Sequence, residues 1–176
     1  MTVRDRLPME DALLGLLMEE PMHGYDLHRR AEQELGRVWR MGRSNVYAAL
    51  KRLERDSAIE PELAPQESRP SRKVYHLTAR GRQRCLDWLR RPTPNVHRLR
   101  VEFLAKLYLL RALELEGAAA LIEAQAEICH RRRERFRQRA AACASGDFDR
   151  LVFDFRLRQV DAILEWLADC RREFGS

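Results

Sequence analysis

The stretch SNVYAALKRLERDSAIE, residues 44–60, decides the fold of this chain. Val46, Leu50 and Leu53 recur three and four positions apart, which is the spacing of one apolar helix face. Ser44 is a favourable N-cap residue, so the stretch predicts a helix over about residues 45–56. The other face is predicted to be polar and mostly basic. Its residues are Asn45, Ala48, Lys51, Arg52 and Arg55.

Two further helices are predicted before this stretch. Pro8 or Met9 opens the first, in which apolar residues again recur at helical spacing until Pro21 ends the pattern. Gly24 precedes the second helix, and Gly36 stops it. The N-terminal part of the chain therefore begins with three short helices.

A β-hairpin and a fourth helix are predicted after it. Residues 58–63 and 72–77 alternate as strands do, and the polar APQESRPS between them is typical of a turn. Thr78 is positioned to cap a helix over residues 79–91. Three helices followed by a basic hairpin predict a winged helix-turn-helix, within a mostly α-helical protein.

Charge supports a polyanion as the partner. The chain has 176 residues and a net charge of +6, and residues 37–91 alone carry a net +8. A local basic patch is the electrostatic footprint of a protein that binds double-stranded DNA. We predict that the third helix lies in the major groove and that the hairpin contacts phosphates or the minor groove. The predicted helix contacts are Arg43, Ser44, Asn45, Tyr47, Lys51 and Arg52, and those of the hairpin are Arg69, Arg72 and Lys73.

The prolines near residue 92 divide the chain into residues 1–92, the DNA-binding domain, and residues 93–176, a helical domain for dimerisation and effector response. Helices are predicted over residues 96–113, 114–145 and 147–174. The second of them has apolar positions that alternate by four and three residues, which indicates coiled-coil-like packing. A second copy of the chain is the simplest partner. The residues predicted to dimerise are Phe103, Leu107, Ile122, Cys129, Phe136, Phe155, Ile163 and Leu167.

Arg133 interrupts that apolar seam. We predict that it either pairs with an acidic residue of the last helix, such as Asp154 or Asp161, or marks a break in the seam. The surrounding RRRERFRQR, residues 131–139, reads mainly as the solvated side of a long helix, although a second nucleic-acid contact is the alternative.

Three segments resemble the PadR family of bacterial transcriptional regulators. They are LLGLLMEEPMHGYDL (13–27), SNVYAALKRLERDSAIE (44–60) and RKVYHLTARGR (72–82). The resemblance implies a homodimer held by C-terminal helices, binding to a pseudo-palindromic operator and usually repression; a small-molecule effector is an option. The chain departs from the family pattern at Ala48, where proline is frequent, and at Ser57, where glycine is frequent.

Several other classes are less favoured. No GxSxG, GxxxxGK[ST] or GxGxxG motif is present, so we expect neither an enzyme nor a cofactor. The four cysteines lack CxxC spacing, so we expect reduced thiols and no metal site, with a redox sensor as the alternative. The start of the chain lacks a signal-peptide core, and no apolar run is long enough for a membrane span, so we expect a cytoplasmic protein. A winged-helix adaptor that binds only proteins is the main alternative, and a MarR-like regulator is another.

Overall fold

The computed structural model describes residues 8–64 and 72–174. The N-terminal elements are α1 (Met9–Leu16), β1 (Met22–His23), α2 (Gly24–Leu35), α3 (Arg43–Arg55), β2 (Ile59–Ala64), β3 (Arg72–Leu77) and α4 (Ala79–Arg90). A 3-10 turn (Val96–Arg98) and a π-helical turn (Leu99–Phe103) precede α5 (Leu104–Ala112), α6 (Ala118–Ala142) and α7 (Phe148–Phe174). The predicted mostly helical, winged-helix fold is confirmed.

The described chain forms two compact units. The first combines the segment up to Arg91 with Arg98–Glu116, and the second combines Pro92–His97 with the segment from Gly117 onward. The helix α5 therefore belongs to the first unit, whereas the prolines near residue 92 predict it in the helical domain. The functional boundary after residue 92 stays a prediction.

The core of the first unit is built from the apolar faces of its helices. On α3, Val46, Leu50 and Leu53 are completely buried, as their spacing predicts. Leu13 on α1 and Leu27 on α2 are buried with them. Burying each leucine contributes about 1.5–3 kcal/mol, so this packing fixes which face of α3 remains exposed.

A three-stranded antiparallel sheet stands beside these helices, in the order β1–β3–β2. The hairpin β2–β3, called the wing below, pairs Ile59 with Leu77 and Leu63 with Lys73. Strand β1 is not predicted from the sequence, because a strand of two residues, Met22 and His23, is too short to show alternation.

A tight turn joins α3 to the wing. The amide of Ala58 donates to the carbonyl of Leu53 (2.9 Å) and that of Ser57 donates to Glu54 (3.0 Å), which is a Schellman motif. It requires the left-handed conformation at Ser57, whose φ is 55°. Serine thus adopts a conformation that glycine reaches more easily.

Thr78 caps α4, as predicted, and fastens it to this turn. Its hydroxyl accepts from the Gly81 amide (3.0 Å) and lies 2.9 Å from the Ser57 carbonyl, to which it can donate. A Cβ added at Gly81 would lie only 2.0 Å from the Ala58 carbonyl oxygen. Only glycine allows α4 to approach the turn this closely.

The second unit is an antiparallel helical hairpin of α6 and α7. Arg133 Nε lies 3.1 Å from Asp161 Oδ1, so the predicted ion pair is confirmed. The rings of Phe136 and Phe153 pack with centroids 6.3 Å apart. Within the chain, α7 therefore fills much of the seam that the sequence analysis identified on α6.

The predicted helix over residues 114–145 begins late. Glu114 (φ 49°) and Gly117 (φ 112°) adopt left-handed conformations, so α6 starts only at Ala118. Inside the second unit, the buried Gln125 side chain accepts from the Thr93 amide (2.6 Å) and donates to the Thr93 carbonyl (3.0 Å). This amide clamp attaches the segment Pro92–His97 to α6.

Among the described residues, none of the helices combines the length and the apolar character that crossing a bilayer requires.

Candidate nucleic-acid interface

The exposed face of α3 carries most of the predicted contacts. Ser44, Asn45 and Lys51 are exposed, whereas Tyr47 is half-buried at the edge of this face. The helix begins after Gly42, whose carbonyl accepts from the amides of Asn45 (2.9 Å) and Val46 (3.1 Å). The face therefore presents an amide, a hydroxyl and an ammonium group to solvent from one rigid element.

Two tyrosines hold Arg43 at the start of α3. Its guanidinium carbon lies 5.9 Å from the centroid of the Tyr25 ring and 5.8 Å from that of the Tyr47 ring. Cation–π contacts orient an arginine without neutralising it, so Arg43 keeps its charge available for a phosphate. Tyr25, at the start of α2, is 53% exposed, and the family resemblance implies a framework or phosphate-contacting role for it as for Tyr47.

Close approach of α2 and α3 makes this arrangement possible. A Cβ added at Gly24 would lie 3.1 Å from Tyr47 Cε1 and 3.3 Å from Leu50 Cδ1. Any larger residue at position 24 would therefore press against the ring that supports Arg43.

Arg52 lies in a different environment from the other predicted contacts. It is half-buried, and its Nε donates to Glu10 Oε1 on α1. Arg84 on α4 donates to Glu10 Oε2 (2.9 Å) and to Asp11 Oδ1 (2.8 Å). These charges link α1, α3 and α4, and contact of Arg52 with a base would require breaking its ion pair.

Burial and charge act in opposite directions on the two carboxylates of this network. Burial alone would raise the pKa of Glu10, but hydrogen bonds from Arg52 and Arg84 outweigh it and lower that pKa. For Asp11, burial outweighs Arg84, so its pKa is raised.

On the wing, Lys73 is engaged by α3. Its Nζ lies 3.0 Å from Glu54 Oε1 and 3.3 Å from Oε2. This hydrogen bond raises the pKa of Lys73 and keeps it protonated. Arg72 is the first residue of β3, and Arg69 lies outside the described residues.

The eight residues predicted to dimerise differ in how deeply they are buried. Phe103 and Leu107 are buried in the first unit, and Ile122, Cys129 and Leu167 are buried in the second. Phe136 and Ile163 are half-buried on the α6–α7 hairpin. Only Phe155 of the eight is a highly exposed apolar side chain.

A further charged cluster is buried near the end of α4. Lys106 Nζ donates to the carbonyl of Arg91 (2.7 Å) and to Glu102 Oε1 (2.9 Å), and it lies 5.0 Å from the centroid of the Trp88 ring. Burial lowers the pKa of Lys106 despite the pairing with Glu102. Within the first unit, Lys106 thus fastens α5 to the C-terminus of α4.

The helices α1–α4 with their wing define a winged helix-turn-helix protein. Comparison with known proteins supports this class of protein. Residues 13–86 match the model of the transcriptional regulator PadR-like family, and residues 99–174 match that of the virulence activator alpha C-terminal family. The chain therefore contains a PadR-like domain over residues 13–86, and the proteins of that family are transcriptional regulators rather than enzymes.

Individual relatives can be described more closely. The chain is 33% identical over 114 residues to the negative transcriptional regulator PadR of Bacillus subtilis, covering 65% of this chain and 63% of that protein. The match thus spans less than two thirds of that relative's length. The crystal structure of B. subtilis PadR with operator DNA has 25% identity and a TM-score of 0.49, over 95% of this chain and 99% of that one. The structure with p-coumaric acid has 25% identity and a TM-score of 0.44, over 97% and 100%.

Proposed function

We propose that this chain is a sequence-specific DNA-binding regulator of transcription that acts as a homodimer on a pseudo-palindromic operator. The observation that carries the proposal is the exposed face of α3, with Arg43 held between Tyr25 and Tyr47. A helix fits the major groove, which is about 12 Å wide, and the N-terminal residues of a recognition helix contact base edges.

Each residue of the face then has a distinct role. Asn45 and Lys51 read base edges, because asparagine pairs with adenine and lysine with guanine. Arg43 and Ser44 contact phosphates at the helix N-terminus, and Tyr47 supports Arg43. Arg69, Arg72 and Lys73 bring the wing to the DNA backbone. Arg52 contributes by holding α3 in place through Glu10.

The test is fluorescence anisotropy with DNA from upstream of the protein's own gene and with a scrambled duplex, across about 50–200 mM salt. The upstream duplex should bind about 10³-fold or more tightly than the scrambled one. Lys51→Ala should reduce this preference. Arg111→Ala, which removes the same charge from the exposed last turn of α5, should leave it unchanged. Equal, weak binding to both duplexes would contradict the proposal, and no binding would favour the adaptor.

The dimer is proposed to form through α7. Phe148, Leu151 and Phe155 are 74%, 65% and 62% exposed, and their spacing places them along one stripe. Exposed apolar patches mark interaction sites, and a second copy related by a two-fold axis is the simplest partner. The two modules would then address half-sites about 34–36 Å apart.

Light scattering with size-exclusion chromatography tests this arrangement. Leu151→Lys combined with Phe155→Lys should convert the dimer to a monomer. Gln138→Lys, an exposed substitution on α6, is the matched control and should remain dimeric. A dimer that persists in the double variant would exclude this stripe as the interface.

We further propose that the protein acts in the cytoplasm as a repressor and that a small-molecule effector shifts its DNA affinity through the C-terminal helices. Support comes from the name of the B. subtilis relative, a negative regulator, and from its structure with p-coumaric acid. Such coupling is typically about 1–3 kcal/mol. Deleting the gene should raise expression of a reporter placed behind the operator. A fall in expression would indicate an activator instead.

A further inference from the structure

We infer that Glu54 masks the wing lysine Lys73 by holding it in an intramolecular ion pair, which a DNA phosphate must displace. The inference rests on the proposed function. It explains how Lys73 is withheld from DNA that the recognition helix does not fit.

The geometry of the pair is well defined. Glu54 is the last residue but one of α3, and Lys73 is the second residue of β3. The ammonium nitrogen lies within 3.3 Å of both carboxylate oxygens, so the lysine is shared between them. The side chains of Lys73 and Glu54 are 46% and 32% exposed, so a phosphate can reach the pair from solvent.

Glu54 also changes the field around the recognition helix. It follows Lys51 by three residues, so the two side chains lie on the same flank of α3. A carboxylate there repels the DNA backbone and offsets part of the positive charge of Lys51 and Lys73. Glu54 therefore weakens the attraction to phosphate that is independent of sequence.

Exposed ion pairs of this kind are weak and can be exchanged. When α3 makes its base contacts at a cognate site, the wing is held against the backbone and a phosphate replaces Glu54 as the partner of Lys73. On other DNA the base contacts are missing, and the pair with Glu54 remains closed. The carboxylate thus makes the wing contact depend on the fit of α3.

The wing itself provides a matched control. Glu62 on β2 is also exposed, but its Oε2 lies 2.8 Å from His76 Nε2 and its backbone pairs with Val74. Glu62→Gln removes the same charge from the wing without releasing Lys73. A general effect of lost negative charge can therefore be separated from the loss of this ion pair.

The experiment measures binding of the full-length protein to the scrambled duplex and to the upstream duplex, each across 50–200 mM salt. Glu54→Gln should tighten binding to both duplexes, and to the upstream duplex at least as much, because only there must the wild-type protein break the ion pair. Its log–log salt slope on scrambled DNA should steepen by about 0.9, the value for one added phosphate contact. Glu62→Gln should change neither the slope nor the ratio of affinities. In a Lys73→Ala background, Glu54→Gln should no longer steepen the slope.

Three results would overturn the inference: equal effects of Glu54→Gln and Glu62→Gln, an undiminished effect without Lys73, or no binding of scrambled DNA by Glu54→Gln even at 50 mM salt. The proposed function is judged separately, by the preference of the wild-type protein for the upstream duplex. A wild-type protein without that preference, combined with the predicted effect of Glu54→Gln on scrambled DNA, would refute the operator-specific function and retain the masking of Lys73 by Glu54.

Discussion

Replacing Ser57 by glycine should stabilise the protein. Ser57 holds a φ of 55° in the turn that ends α3. The left-handed conformation costs an L-residue roughly 1–2 kcal/mol, whereas glycine adopts it freely and loses about 0.5–1 kcal/mol through the greater freedom of its unfolded chain. The difference predicts that Ser57→Gly raises the free energy of unfolding by about 0.5–1 kcal/mol.

The hydrogen bonds of the turn should survive this change. They use the backbone amides of Ser57 and Ala58 and the Ser57 carbonyl, all of which glycine retains. For a chain of this size, the gain corresponds to a rise in Tm of about 1–4 °C.

The assay is urea and thermal unfolding followed by circular dichroism. Ser57→Ala is the control, because it removes the hydroxyl but leaves the backbone strain in place, and it should give no gain. The reasoning would be refuted if Ser57→Gly were no more stable than Ser57→Ala.

Three other outcomes are expected. Gly81→Ala should destabilise the first unit by about 1–3 kcal/mol, because its Cβ would lie 2.0 Å from the Ala58 carbonyl oxygen. A variant as stable in urea as the wild-type protein would contradict this close packing. Because the pKa of Glu10 is lowered, its charged form stabilises the fold above its ordinary pKa of 4.5, and this contribution is lost as pH falls through the lower folded pKa. The loss of stability caused by Glu10→Gln should therefore shrink in acid. A loss of stability that is independent of pH would exclude this coupling between protonation of Glu10 and folding. Burial raises the pKa of Cys85 to about 12, so iodoacetamide at pH 8 should modify the partly exposed Cys143 before Cys85. Mass spectrometry maps the labelled cysteines. Rapid labelling of Cys85 in the folded protein would argue against its burial.

Local patterns made much of the first unit predictable. The buried face of α3 follows from the spacing of Val46, Leu50 and Leu53, and the cap of α4 follows from the hydroxyl of Thr78. The pairing of Arg133 with Asp161 was predictable because a charge inside an apolar seam needs a partner on the helix that faces it.

Contacts between distant positions were not predictable. Arg52 is predicted as a DNA contact from its place on the polar face of α3, but a helix pattern does not show which neighbour lies beside each polar residue. Its partner Glu10 is 42 residues away, and Lys73 is 19 residues from Glu54. Composition indicates an excess of arginine and lysine in residues 37–91 but does not indicate which of them form ion pairs with carboxylates.

The same limit applies to the dimer. Apolar spacing selected Phe103 and Phe155 together, since both lie on helical stripes. Only the packing separates them, because Phe103 is completely buried in the first unit whereas Phe155 remains exposed on α7. A stripe in the sequence identifies a packing face but does not indicate whether the same chain covers it.

The antiparallel pairing of α6 and α7 has a consequence for how this hairpin can evolve. Glu123 and Arg171 pair at one position along it (2.7 Å), and Phe136 packs on Phe153 nearer the tip. An insertion in one helix alone would rotate and displace every later contact on that helix. A change in length is therefore tolerated when both helices gain or lose the same number of residues, in steps of about seven, which corresponds to about 10 Å of helix. Among homologous chains, the length of one arm should follow that of the other.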